Sequence, residues 1–215
     1  MITFFNFLKS DFIKIKKGPI IFIHFMMPII GMILFFQCFS DRLPTPTSKV
    51  TGLFELSASV FPALTGIICA IVAGQEASAG RFQQMLTSHI RFMSFLSKLA
   101  VILILGFAAV LLLVCGSGVI FKYFLHQSPF GISYYLRAAC ILIIGNIFFY
   151  VLNLIISLRF GGIQSIVAGV LETIISPIFT SGLFDGNWSP LSPIISIILI
   201  IIIAYKWFSK WEGKK

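Results

Sequence analysis

Charge is what this sequence has least of. Asp and Glu together number 7, and the four charged residue types make up 11% of 215 residues, against about 25% in a soluble domain. A soluble fold of this size needs a polar surface, which 16 basic and 7 acidic residues cannot cover. An ordinary soluble domain is excluded. A phosphate-binding glycine loop with Lys and Ser/Thr is also missing, so the chain does not use ATP by that route. His24, His89 and His126 are far apart, and the acids Asp11, Asp41, Glu55, Glu76, Glu172, Asp185 and Glu212 include no adjacent pair. A hydrolytic metal centre therefore has no local support. No Ser stands in a nucleophile-elbow sequence, and an intrinsic enzyme is not expected. The four cysteines, Cys38, Cys69, Cys115 and Cys140, fall in apolar runs with no His beside them. They read as buried free thiols acting as small hydrophobes.

What the chain has in excess is apolar length. Apolar residues reach 58%, Phe alone numbers 24, and the mean hydropathy is +1.03. A spanning helix needs roughly 20 mostly apolar residues. Six runs qualify: Pro19–Phe39, Gly52–Gly74, Leu99–Phe121, Ala138–Leu158, Ile163–Phe184 and Leu191–Phe208. Stretches such as Ile194–Ile203 are apolar on every face and lack the alternation of barrel strands, which leaves helices. The predicted fold is an all-α integral membrane protein of six transmembrane helices, preceded by an interfacial amphipathic helix. Residues 1–18 form that helix, 19–208 the membrane domain with a cytoplasmic loop at 75–98, and 209–215 a basic tail. The first run is too long for a typical signal-peptide core and lies behind an amphipathic lead, so it reads as retained.

Basic residues orient the bundle. Lys9, Lys14, Lys16, Lys17, Arg81, Arg91, Lys98, Arg159, Lys206, Lys210, Lys214 and Lys215 fall on one side, twelve in all. Arg42, Lys49, Lys122 and Arg137 fall on the other. The positive-inside rule then predicts that both termini are cytoplasmic. Trp207 and Trp211 suit the inner interface; Tyr123, Tyr134, Tyr135 and Trp188 suit the outer one. The basic excess is thus membrane topology rather than a nucleic-acid footprint.

Three segments carry functional signals. In the first 17 residues, Ile2, Phe5, Leu8, Phe12 and Ile15 form an apolar stripe, and Asn6, Ser10, Lys14 and Lys17 lie opposite. A helix in the inner-leaflet interface fits this pattern, as does a basic tail serving topology alone. In the second loop, Phe82, Met85 and Leu86 stand at helical spacing around Gln83 and Gln84. A short helix offering apolar knobs to a partner and a second, unpartnered interfacial helix fit equally. In the fifth run, Glu172 is an acid deep in a span, where a charge costs about 2.5–3.5 kcal/mol. It faces protein or water: lining a route, binding a partner helix, or protonated within the bundle. Asn146, Asn153 and Gln164 read as interhelical glue, and Asn153 is, with Glu172, also a candidate residue for such a route. Gly161-Gly162 and Gly169 allow close helix packing.

Glu76, Gly80, the pair Met85-Leu86 and Lys98, in that order and spacing between the second and third spans, resemble the cytoplasmic loop of type-2 ABC transporter permeases. His89 departs, standing where many relatives have Pro. More narrowly, Ala79-Gly80-Arg81-Phe82-Gln83 and the short chain are similar to the smaller, G-type permease subunits of lantibiotic self-immunity transporters such as the nisin immunity system. The resemblance implies an ABC ATPase in two copies, which binds ATP and Mg, and a second related permease. No cofactor is expected on this chain. It further implies a lantibiotic peptide expelled from a bacterial cytoplasmic membrane, with Glu76, Gly80, Arg81, Phe82, Gln83, Met85 and Leu86 coupling to the ATPase. A permease for another drug, lipid or ion, and a non-transporting membrane scaffold, are the competing readings.

Overall fold

The computed structural model describes residues 2–16, 18–38, 40–78, 91–124, 126, 129–180, 202 and 206. Every regular element among them is helical: α1 (Ile2–Lys16), α2 (Ile20–Cys38), α3 (Pro46–Ser78), α4 (Arg91–Val119), α5 (Ile132–Arg159) and α6 (Gly162–Thr180). A 3₁₀ turn at Ser40–Arg42 follows α2, and α4 runs into a π-helical turn at Ile120–Phe124. Among the described residues, four helical stretches are long and apolar enough to cross a membrane: Ile20–Cys38, Pro46–Ser78, Phe92–Tyr123 and Ile132–Arg159. The apolar part of α6, Gly162–Ser176, is shorter. The run expected at Leu191–Phe208 and the basic tail lie outside the described residues, apart from positions 202 and 206.

Three of the helices, α3, α4 and α5, outrun the apolar stretches that announced them. At 33 residues, α3 is about 50 Å long, well beyond a hydrocarbon core of about 30 Å. Hydropathy marks only the part in hydrocarbon, while the backbone stays helical into the polar layers. Local chemistry starts α3 sharply. Thr45 Oγ1 accepts from the Ser48 backbone N–H at 3.1 Å, and Thr45 N–H donates to Ser48 Oγ at 3.2 Å. This reciprocal cap, with Pro46 at the first helical position, satisfies amides that would otherwise face no partner. Between α5 and α6 the chain reverses through Gly161, whose φ of 123° suits glycine.

Pro62 lies inside α3 and has no N–H to give the Ala58 carbonyl one turn earlier. Ser176 Oγ of α6 donates to Ala58 O at 3.4 Å, and the Ala63 N–H donates to Thr173 Oγ1 of α6 at 3.0 Å. Backbone groups freed by a proline in a membrane helix are thereby satisfied by the neighbouring helix. Glycines allow that neighbour to come so near. A Cβ on Gly169 would lie 2.6 Å from Pro62 O, and one on Gly66 would lie 2.6 Å from Ser165 O. The close packing expected of Gly169 is present, with Gly66 as its partner.

Two apolar cores hold the rest. One joins Ile15 of α1 and Ile20 of α2 to Ile68, Phe95, Ile102 and Leu154; the other gathers Phe35, Leu53, Phe54, Val114, Phe121 and Leu142. Phe22, Ile33, Ile104, Leu136, Ile163 and Ile174 face outward, the pattern of a fold whose surrounding solvent is lipid. The cysteines correct the expectation of burial. Cys69 is buried, whereas Cys38, Cys115 and Cys140 are exposed on the bundle surface. An apolar run places a residue in the membrane and leaves open which face of the helix it occupies.

The helix expected at the N-terminus is present, but the role expected of its faces is partly corrected. Phe5 and Phe12 point outward, while Leu8 and Ile15 pack inward. Lys14, assigned from sequence to the face toward headgroups, reaches a carboxylate of α3.

Candidate coupling site and an intramembrane polar cluster

Where α1, the end of α3 and the start of α4 meet, the fold encloses a cluster of charges. Lys98 Nζ lies 2.8 Å from Asp11 Oδ1 and 2.8 Å from Glu76 Oε1. Lys14 Nζ reaches the same Glu76 oxygen at 3.0 Å, and Ser97 Oγ donates to Asp11 Oδ2 at 2.6 Å. Asp11 and Glu76 are each 4% exposed and Lys98 is 3% exposed. Two ammonium groups face two carboxylates, so the group is neutral as a whole. Pairing of this kind, with each ammonium set against a carboxylate, is what allows ions to be buried at all.

Its position matters more than its energy. Glu76 and Lys98 stand near the two ends of the loop expected at 75–98, and their direct contact fixes those ends together. Asp11 and Lys14 tie α1 to the same base. Gly80, Arg81, Phe82, Gln83, Met85 and Leu86 lie outside the described residues. Of the expected coupling residues, Glu76 is described, and it is buried with its carboxylate turned inward toward Lys98.

A second polar group lies within the helical bundle. Asn153 Nδ2 of α5 donates to Glu172 Oε2 of α6 at 2.8 Å and lies 3.3 Å from Thr65 Oγ1 of α3. Ser165 Oγ is 3.1 Å from both Gly66 O and Asn153 O, and its one proton serves either. Glu172 and Asn153, each named from the sequence without a link between them, are in direct contact. His24 of α2 forms a separate link: its Nδ1–H donates to Ile20 O at 2.8 Å, so in a neutral ring Nε2 accepts from Tyr150 Oη at 2.9 Å.

The Asn153–Glu172 contact gives a graded expectation. Glu172→Gln retains an oxygen to accept from Asn153, and the thermal midpoint of the detergent-solubilised protein should stay within about 2 °C of wild type. Glu172→Leu leaves Asn153 Nδ2 without that acceptor and should cost about 1–2 kcal/mol. An equal loss in both variants, measured by fluorescence-detected size exclusion after heating, would assign the stabilisation to the charge instead.

Sequence reading missed Asp11, Ser97 and the link from His24 to Tyr150. For Asp11 a signal existed. It is a lone acid among four lysines, at helical spacing between Leu8 and Ile15, and an acid on the inward face of a helix needs a cation beneath it. The partners come from 86 and 87 residues away in sequence, beyond the reach of any local pattern.

A family model described as ABC-2 family transporter protein matches residues 7–180. The match begins inside α1 and ends with α6, and so takes in both polar clusters. No curated protein and no solved structure matches the chain.

Proposed function

The chain belongs to the ABC-2 transporter family, and from that premise we propose that it is the permease subunit of an ATP-driven exporter that expels a lantibiotic peptide from the membrane of the cell producing it. Family membership makes it a multi-pass membrane protein that works with a separate ABC ATPase. The peptide substrate, two copies of the ATPase, a second related permease and cytoplasmic termini belong to the proposal. The single observation that carries its coupling part is the contact at 2.8 Å between Lys98 and Glu76. A loop pinned at its base, and tied there to a helix with an outward-facing apolar side, supports a rigid element able to pass an ATPase's movement into the spans. Within the segment, Phe82 and Met85 are the apolar side chains proposed to enter the ATPase, with Gly80, Arg81, Gln83 and Leu86 around them. The peptide assignment is supported by the stretch Ala79-Gly80-Arg81-Phe82-Gln83, and Glu172 with Asn153 is proposed to border the route of a cationic substrate.

Changing both Phe82 and Met85 to Asp puts charge into an apolar contact that cannot satisfy it, at an expected cost of about 2 kcal/mol or more. Membrane insertion should be unaffected, because 79–90 contributes no span. An ABC ATPase that co-purifies with the tagged wild-type chain from native membranes should be depleted by at least about tenfold, and resistance to the peptide should fall with it. Undiminished association would remove the coupling role. Association lost without any change in peptide resistance would leave an ABC permease for a different substrate. No associated ATPase in wild type would favour a non-transporting scaffold.

A further inference from the structure

Lys9, Asp11, Lys14 and Lys16 are the charged residues of α1, and the fold sorts them by face. Asp11 and Lys14 turn inward, to Lys98 and Glu76. Lys9 and Lys16 are exposed and enter no ion pair among the described residues. They share one ridge with Phe5 and Phe12, the four positions following one another at spacings of four, three and four residues. Phe5 is 58% exposed, Phe12 43%, and Ile13 beside them 49%. The helix has a single acid, Asp11, and the buried cluster holds it. The outward face is left with two cations and three large apolar side chains, and no carboxylate among them.

Depth selects the occupant. Shortly after α1 comes α2, which is apolar enough to span a membrane and whose Phe22 is already 65% exposed. The ion cluster holds α1 against the end of α3 and the start of α4. The ridge therefore lies where hydrocarbon gives way to headgroups. Apolar chains and phosphates stand side by side there, so rings enter the acyl boundary while lysine stems lie along them and their ammonium groups reach outward. A protein partner would have to set two carboxylates about 10 Å apart, with apolar pockets for the rings between them. A layer of anionic lipid meets the same pattern without any register. We propose that the ridge Phe5, Lys9, Phe12 and Lys16 of α1 is a contact for anionic phospholipid, its two lysines drawing negatively charged headgroups in preference to zwitterionic ones. The inference goes beyond the export reading and does not depend on the exported molecule or on the ATPase.

The test uses the full chain with the photoreactive residue p-benzoylphenylalanine replacing Phe12, in nanodiscs of equimolar phosphatidylglycerol and phosphatidylcholine with identical acyl chains. After irradiation, mass spectrometry counts the lipid adducts on the peptide that contains position 12. Phosphatidylglycerol adducts should exceed phosphatidylcholine adducts by about fivefold or more, the preference that one lysine near an anionic surface confers. Lys9→Gln together with Lys16→Gln should bring that ratio to about one. The same photoreactive residue at Phe107, half-exposed near the middle of α4, should give a ratio that the two substitutions leave unchanged. A ratio near one at position 12 without the substitutions, a ratio that survives them, or an equal change at Phe107 would overturn the proposal. Adducts to polypeptide in place of lipid in native membranes would also overturn it, and would give this face to a protein partner. If the chain altered at Phe12 does not accumulate, the photoreactive residue at Phe5 decides by the same ratios.

Discussion

Lys98→Met should be among the most damaging single substitutions in the described part of the chain. It removes the cation that two carboxylates share, Asp11 Oδ1 and Glu76 Oε1, each at 2.8 Å. Lys14 remains beside Glu76, and among the described residues Asp11 keeps the Ser97 hydroxyl. Breaking one side of a buried ion pair costs about 3–5 kcal/mol, because a charge is left where water does not reach it. For a chain of this length that corresponds to a thermal midpoint lower by about 10 °C. The comparison variant is Lys9→Met, at an exposed position of the same basic lead, which should leave the midpoint unchanged. The triple variant Asp11→Asn, Glu76→Gln, Lys98→Met should recover at least half of the loss, since it removes the stranded charges together with their partner. A loss no larger for Lys98→Met than for Lys9→Met would mean that the cluster is not buried as an ionic unit.

The triple variant also separates two meanings of the cluster. If the ions serve stability alone, a recovered midpoint should bring recovered transport. If they hold the base of the segment 79–90 in register with α1, stability returns while transport stays low. Uncharged amides make weaker and less directional contacts than paired ions.

Much of this was legible in the residues, and the boundary between legible and hidden is physical. Apolar runs located α2 to α5 because lipid burial depends on composition along the chain. The amphipathic repeat located α1, since a helix at an interface must sort its side chains by face. The order Glu76, Gly80, Met85-Leu86, Lys98 pointed to the family that the match over 7–180 then showed. What could not be read was partnership across distance. Asp11 and Lys98 meet across 87 residues, and His24 meets Tyr150 across 126. Nor could hydropathy tell lipid-facing from protein-facing positions, which is why Cys69 proved buried and Cys115 and Cys140 did not. Glu172 lies between these cases. Its place in a span required a polar neighbour, but only the packing of α5 on α6 identified Asn153.

Gly169→Leu should be as severe as loss of the buried cation, for a reason unrelated to charge. The first atom added would stand 2.6 Å from Pro62 O, 3.1 Å from Gly66 Cα and 3.3 Å from Ala63 Cα. All three are backbone atoms, so no rotamer change makes room and α3 and α6 must move apart. Separation loosens the hydrogen bonds from Ser165 to Gly66 O, from Ala63 N–H to Thr173 Oγ1 and from Ser176 to Ala58 O. The last two serve backbone groups that Pro62 freed, for which lipid offers no substitute. Interhelical hydrogen bonds in membranes are worth about 0.6–2 kcal/mol each, and overpacking itself adds about 1–3 kcal/mol, so about 3–5 kcal/mol in all is expected. Gly145→Leu provides the contrast, because a Cβ there meets nothing within 4 Å and the change replaces a poor helix former with a good one. Detergent-solubilised protein should therefore lose most of its monodisperse peak with Gly169→Leu and keep it with Gly145→Leu. Similar profiles for the two would show that α3 and α6 are not held at the separation these glycines permit.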